Sequence, residues 1–315
     1  MRIAFVGKGG AGKSTFSTLF FLNLIKQNEK VMCFDADLNI HVPKLLGMDF
    51  PEKKSLSSNE NTKKIREYLI GKSKKIKSTD HFYKTTPPSK GVNLFEISPE
   101  NEIIKEFTEP YQDNYVAVVG TYEADEIGRS CYHTNLSVLE NLLTFAKLND
   151  EDWIVTDMVA GIDAFSNTLH KQFDALFLVV EPTQESIAVY DQYLKLAKHA
   201  GMDDRLFVVG NKIEDDEDEK FIASNIPANK YIGSLEKSSE LKKLRQQGTP
   251  LTVDILESLN ESLFEKLIEV SKKLKKNPNN RLKELHQLHL KYIDQDYVKN
   301  AVGDLSGQID EEFQF

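Results

Sequence analysis

Near the start of the chain, Gly7-Lys8-Gly9-Gly10-Ala11-Gly12-Lys13-Ser14-Thr15 sets two glycines around four residues and follows them with Lys-Ser. This spacing suits capture of a polyphosphate. Glycines let the backbone curl until its N–H groups converge on phosphate oxygens, and the following helix adds its positive end. In such a loop Lys13 reaches the β/γ-phosphates and the Ser14 hydroxyl takes a magnesium ion. The flanks agree: Ile3-Ala4-Phe5-Val6 reads as a buried strand, and Phe16-Ser17-Thr18-Leu19-Phe20-Phe21-Leu22 as a helix. A nucleoside triphosphate is the expected ligand.

Three further groups could serve it. Asp35-Ala36-Asp37 ends the next apolar run, and carboxylates at a strand's C-terminal end face the ligand crevice of an open α/β sheet. There they orient an attacking water or support magnesium through its water shell, although such pairs also cap turns. Trp153-Ile154-Val155-Thr156-Asp157 is an apolar strand closed by a carboxylate, and Ala160-Gly161 beyond it is small enough to move. Asn211-Lys212 follows the strand Leu206–Gly210, and an amide offers a base edge both donor and acceptor.

The elements that must position these groups repeat as strand, helix, strand. This predicts an α/β fold: a doubly wound, mostly parallel sheet flanked by helices, with a C-terminal helical extension. Strands are expected at Ile3–Val6, Val31–Asp35, Asn93–Ile97, Tyr115–Val119, Trp153–Asp157, Ala175–Val180 and Leu206–Gly210. Helices are expected at Lys13–Gln27, Leu136–Lys147, Ile187–Ala200, Glu217–Asn225, Ser239–Gln247, Leu259–Lys275 and Arg281–Tyr292. The expected division is a phosphate-loop domain over 1–276, with 51–90 as an insertion, and an acidic helical extension over 277–315. Residues 51–90 carry eleven Lys/Arg against four Asp/Glu in a chain of net charge −9. They read as a solvated, partly disordered insertion, or more sharply as a docking surface for an acidic partner or a nucleic-acid backbone.

Composition sets the class. The 315 residues are 40% hydrophobic and 28% charged, as in soluble globular proteins. No apolar stretch is long enough to span a membrane, and a strand at the first residues leaves no room for a signal peptide. Two cysteines fit a reducing cytoplasm and exclude a disulfide framework. Cys33 lies inside an apolar run and reads as core.

Lys8, directly after the first glycine, makes the loop resemble the deviant Walker A motif of MinD/ParA-type ATPases, which include the nitrogenase iron protein and the CooC-type metal-insertion ATPases. The resemblance extends over most of residues 1–255. It implies ATP as ligand with Mg2+, and a homodimer formed with ATP in which Lys8 reaches the other subunit's phosphates. It gives Asp37 the hydrolytic water, places Asp35 near the metal, makes Asp157 a magnesium ligand through water, and has Asn211 read adenine. Gly9, Gly10, Ala11, Gly12 and Thr15 complete the phosphate cradle, and Lys212 joins Asn211 at the base. Relatives often carry Ile-Pro in the loop after the next strand, where this chain has Gly233-Ser234-Leu235-Glu236.

Cys131-Tyr132-His133 separates the subfamilies. A thiolate and an imidazole two residues apart suit zinc or nickel, and a twofold dimer would supply four ligands. The same residues suit a helix-capping loop with a buried thiol and a solvated imidazole. CooC-type sequences generally have Cys-x-Cys here, and a shared four-iron cluster would need two cysteines from each subunit. His286 and His289 share one helical face, as metal ligands or as part of a packed amphipathic helix, while His41, His81, His170 and His199 show no partner in sequence. The acidic run Glu214–Glu219 reads as a solvated loop and helix start. The function expected is an ATP-driven dimeric switch serving a protein client such as a metalloenzyme. The alternative is MinD/ParA-like positioning on a protein or nucleic-acid partner. Membrane attachment is not expected, because the chain ends in an acidic stretch that an anionic surface repels.

Overall fold

The computed structural model describes residues 1–121, 132–161, 165 and 168–315, the side chains of 132–134 excepted. The helices and strands run β1 (Arg2–Gly7), α1 (Lys13–Lys26), β2 (Lys30–Ala36), α2 (Val42–Leu45), α3 (Asn59–Ile70), α4 (Glu102–Phe107), β3 (Glu109–Tyr111), β4 (Asn114–Val118), α5 (Tyr132–Thr144) and β5 (Asp152–Met158). They continue with β6 (Ala175–Val180), α6 (Gln184–Ala200), β7 (Leu206–Ile213), α7 (Asp216–Asn225), β8 (Tyr231–Glu236), α8 (Ser239–Gln247), α9 (Glu261–Leu274), α10 (Pro278–Ile293) and α11 (Asp296–Val302). The strands form one sheet in the order β3-β4-β2-β5-β1-β6-β7-β8, with β3 alone antiparallel among the described residues. This is the doubly wound α/β fold expected.

Every residue of β1, β5 and β6 is buried. The continuous apolar runs therefore have the cause inferred for them, a helical layer on each face. On one face α1 is wedged between the sheet and α9: Phe16 and Phe20 lie 5.8 and 5.7 Å from Phe5, and 6.2 and 6.4 Å from Phe264. The helix that starts at the phosphate loop is thus fixed by aromatic packing. Cys33 is fully buried in this layer, as expected.

Three expectations are corrected. Asn93–Ile97 is not a strand; only Phe95 bridges, to Ala146. The segment is apolar because Phe95 packs edge-on to Phe34 at 6.2 Å within the core. The sheet edge is instead the β3–β4 hairpin, whose Pro110 sits on an edge strand that needs no donor there. Gly233–Glu236 is not a loop but the body of β8.

Residues 51–90 are packed, not solvated. Leu56, Ile65, Leu69, Ile76 and Phe82 are buried in the core, and Ser58 caps α3 by accepting from Asn61 N at 3.2 Å. This stretch packs against the chain's own C-terminal part through hydrogen bonds that are mostly neutral. Asp310 accepts from Lys90 N at 2.8 Å, Gln308 binds Thr86 at 2.9 Å and the His81 carbonyl at 2.6 Å, and His289 lies 3.1 Å from Thr85 Oγ1.

His289 is fully buried, so its place is packing. Burial pulls its pKa down to about 4, below the ordinary 6.5. The unfolded chain then takes a proton that the folded chain refuses. The contribution is complete above pH 6.5 and is lost as pH falls towards 4, up to about 3 kcal/mol. Glu140, raised to about 7 by burial, acts in the opposite direction. A difference measurement separates them: between pH 7.5 and 5, the urea midpoint of the wild type should fall further than that of His289→Leu. Parallel profiles would contradict this assignment.

Candidate nucleotide site

Strand register gathers the site. Phe5 of β1 and Asp35 of β2 both lie opposite Asp157 of β5, so the phosphate loop and the carboxylates leave the sheet at one end. Gly7 leaves β1 at φ +144°, where a Cβ would meet the Val179 carbonyl at 2.6 Å. Only glycine fits that exit. Gly9 and Gly10 are exposed, and Gly12 stands at the N-cap of α1 with no side-chain cap. The first N–H groups of α1 are thereby left to a ligand, which is how helix starts bind phosphate.

Lys13 is 5% exposed and its Nζ donates to the Lys8 carbonyl at 3.3 Å. Burial lowers its pKa, with Asp157 and Asp37 opposing. Lys8 is half-buried at the rim, near enough to Glu185 to depress that carboxylate slightly after its own helix-start hydrogen bonds. Ser14 faces Asp157. The Asp157 carboxylate is fully buried, and neither oxygen has a well-formed hydrogen bond among the described residues. Its pKa is raised well above the carboxylate range by burial and then by Asp35, with the Ser14 hydroxyl and Lys13 offsetting part of this. A buried carboxylate left in this condition, beside a hydroxyl and an ammonium, suits a hydrated divalent cation.

Asp35 does a different job from its neighbour. One oxygen accepts from Asp37 N at 3.1 Å, and the other from His41 N and Val42 N at 2.7 and 2.8 Å. It pins the loop after β2, and its pKa of about 6 reflects burial opposed by these bonds. Asp37, 6% exposed, uses Oδ1 to accept from Asn39 N and Nδ2 at 3.0 and 3.1 Å.

The far wall comes from β7. Asn211 Nδ2 donates to the Ala11 carbonyl at 2.7 Å, and Lys212, at φ +63°, donates to the Gly10 carbonyl at 2.7 Å and pairs with Glu181 at 2.6 Å. Beside them lies a cavity of about 370 Å³ between Gly12, Thr15, Asn211, Ser238 and Leu241. Its size and mixed lining suit a nucleoside. Gly161 N donates to the Gly7 carbonyl at 3.0 Å, and its own carbonyl accepts from Tyr193 on α6. Glu181 and Tyr193 carried no sequence signal, since their partners are a lysine tip and a backbone oxygen far along the chain. Cys131 and the side chain of His133 lie outside the described residues. Among the described residues no cluster of three His, Cys, Asp or Glu is placed to hold a metal, and no helix is long and apolar enough to cross a membrane.

Residues 3–251 match the CbiA family of CobQ/CobB/MinD/ParA nucleotide binding domains. The chain belongs to that family. Among its relatives, an uncharacterised ATP-binding protein of Methanocaldococcus jannaschii is 28% identical over 260 residues, 82% of this chain and 96% of that protein. The carbon monoxide dehydrogenase accessory protein CooC of Rhodospirillum rubrum is 23% identical over 273 residues, covering 85% of this chain and 97% of CooC. The MinD/ParA-type fold recurs in the cell division ATPase MinD of Pyrococcus furiosus, with a TM-score of 0.56 at 19% identity over 87% of this chain and 99% of that one. In this MinD/ParA-type domain the family match ends at 251, so α9 to α11 lie beyond it.

Proposed function

We propose that this chain is an ATP-hydrolysing switch that closes as a homodimer and serves a protein client as an accessory factor. The observation that carries the reading is the buried, unsatisfied Asp157 carboxylate beside Ser14 and Lys13 at the mouth of the glycine loop. Residues 1–276 hold this machinery and 277–315 form an extension. Backbone N–H groups of Gly9 to Thr15 hold the phosphates, and Lys13 places its charge on the β/γ oxygens. Asn211 and Lys212 border the base. Ser14, with Asp157 acting through water, would hold magnesium, which neutralises the phosphate oxygens when bound. Asp35 keeps the loop carrying Asp37 in place. Asp37 orients a water that attacks the γ-phosphorus in line while the bond to the β–γ bridging oxygen breaks, giving ADP and phosphate. Lys8 of a second subunit completes the charge.

The likeness to CooC supports an accessory role towards a metalloenzyme. Cys131 and His133, two ligands from each subunit, would handle zinc or nickel at the dimer seam. The switch is testable through its mass. Asp37→Asn should bind ATP and stay closed, doubling its mass by light scattering with Mg-ATP but not with Mg-ADP. A monomer under both conditions would refute closure by ATP.

A further inference from the structure

At the other end of the sheet, about 17 Å from the phosphate loop along β1, lies a cavity of about 160 Å³. Arg2, Lys147, Lys275, Lys276 and Arg281 line it, with Asp174 as the one acidic side chain among them. That carboxylate is already committed. It pairs with Arg281, and accepts from Arg2 N at 2.9 Å and Lys276 N at 3.3 Å. Lys147 and Lys275 pair with Glu96 and Asp150 at 3.0 and 2.6 Å, and Lys276 with Glu284.

Arg2 is left over. It is 3% exposed, its Nη2 donates to the Ala146 carbonyl at 2.6 Å, and its Nη1 is buried without a hydrogen-bond partner among the described residues. A guanidinium does not discharge by losing its proton, and here two buried guanidinium groups, Arg2 and Arg281, share the single carboxylate of Asp174, which is costly. Leu148, Pro278 and Phe315 add apolar wall to it, which favours a carbon-bearing ligand over a hydrated ion.

We propose that this cavity binds a small organic oxyanion, a phosphate monoester or a carboxylate, held by Arg2, Lys276 and Arg281. Burial brings the Lys276 ammonium down to about 8, and an anion beside it would hold its charge more firmly. Because Lys276 precedes α10 and Arg281 lies on it, occupancy ties the C-terminal helix to the sheet.

The test uses the full chain with Mg-AMPPNP in the phosphate loop, in chloride buffer, titrated with phenyl phosphate and separately with benzoate while Tm is followed. A saturable rise with either probe is expected, and which probe gives it tells phosphate from carboxylate. Lys276→Met should weaken the apparent affinity about tenfold, and nucleotide-free Lys13→Ala should keep the wild-type response. If Lys276→Met does not fold, Arg2→Met reads the same loss. Absence of a saturable rise, an unchanged response in the cavity variant, or its loss in Lys13→Ala would overturn the proposal.

Discussion

Lys13→Ala is expected to lower ATP turnover by about 10³-fold, the scale for removing a fixed positive group from a phosphoryl-transfer site. The expectation rests on burial. Lys13 is 5% exposed and anchored to the Lys8 carbonyl, so little water stands ready to replace its charge. Neighbouring Asp157 and Asp37 oppose the lowering that burial imposes on its pKa. Lys13→Arg should not rescue, since a planar guanidinium does not fit a slot shaped for an ammonium point charge. Steady-state phosphate release checks both variants; turnover within tenfold of wild type in Lys13→Ala would remove this residue from the reaction.

Lys8→Ala is expected to lower turnover by about 10³-fold as well, yet to leave ATP binding by the monomer within about threefold. The reason is geometric. It is the Lys8 backbone, not its side chain, that supports the loop: its carbonyl accepts from Lys13 Nζ and from Ala11 N, both at 3.3 Å. Truncation therefore spares the cradle and removes only a charge at the rim. A charge supplied across an interface acts as an arginine finger does, and such groups are worth about 10³-fold or more. Fluorescent-nucleotide binding beside turnover separates the two effects. An equal loss in both would make Lys8 part of its own subunit's cradle instead.

The phosphate loop was legible because its chemistry is contiguous: the glycines, Lys13 and Ser14 act within one turn of backbone, and spacing alone reports them. β1, β2, β5, β6 and β7 were legible because burial on both faces writes an unbroken apolar run. β8 was not, since Tyr231–Ser234 is half-buried and mixes a glycine with a serine. Asp35 was legible as a carboxylate at a strand end, but its hold on the following loop was not, because the donors are backbone N–H groups that any sequence carries. The packing of 73–90 against the C-terminal part was invisible for a related reason. It rests on Thr85, Thr86 and Lys90 meeting partners more than 200 positions away, and polar pairs at that separation leave no periodic trace. The basic charge of that stretch was legible, while its packing within the chain was not.

The most direct test of a shared active site is subunit mixing. Lys8→Ala retains Lys13 but lacks the crossing charge; Lys13→Ala has the reverse defect. Each alone should be nearly inactive. Mixed in equal amounts with Mg-ATP, half the dimers pair one of each, and each such dimer has one complete site. The account predicts recovery to about a quarter of the wild-type rate. A mixture no faster than the mean of its two components would contradict it.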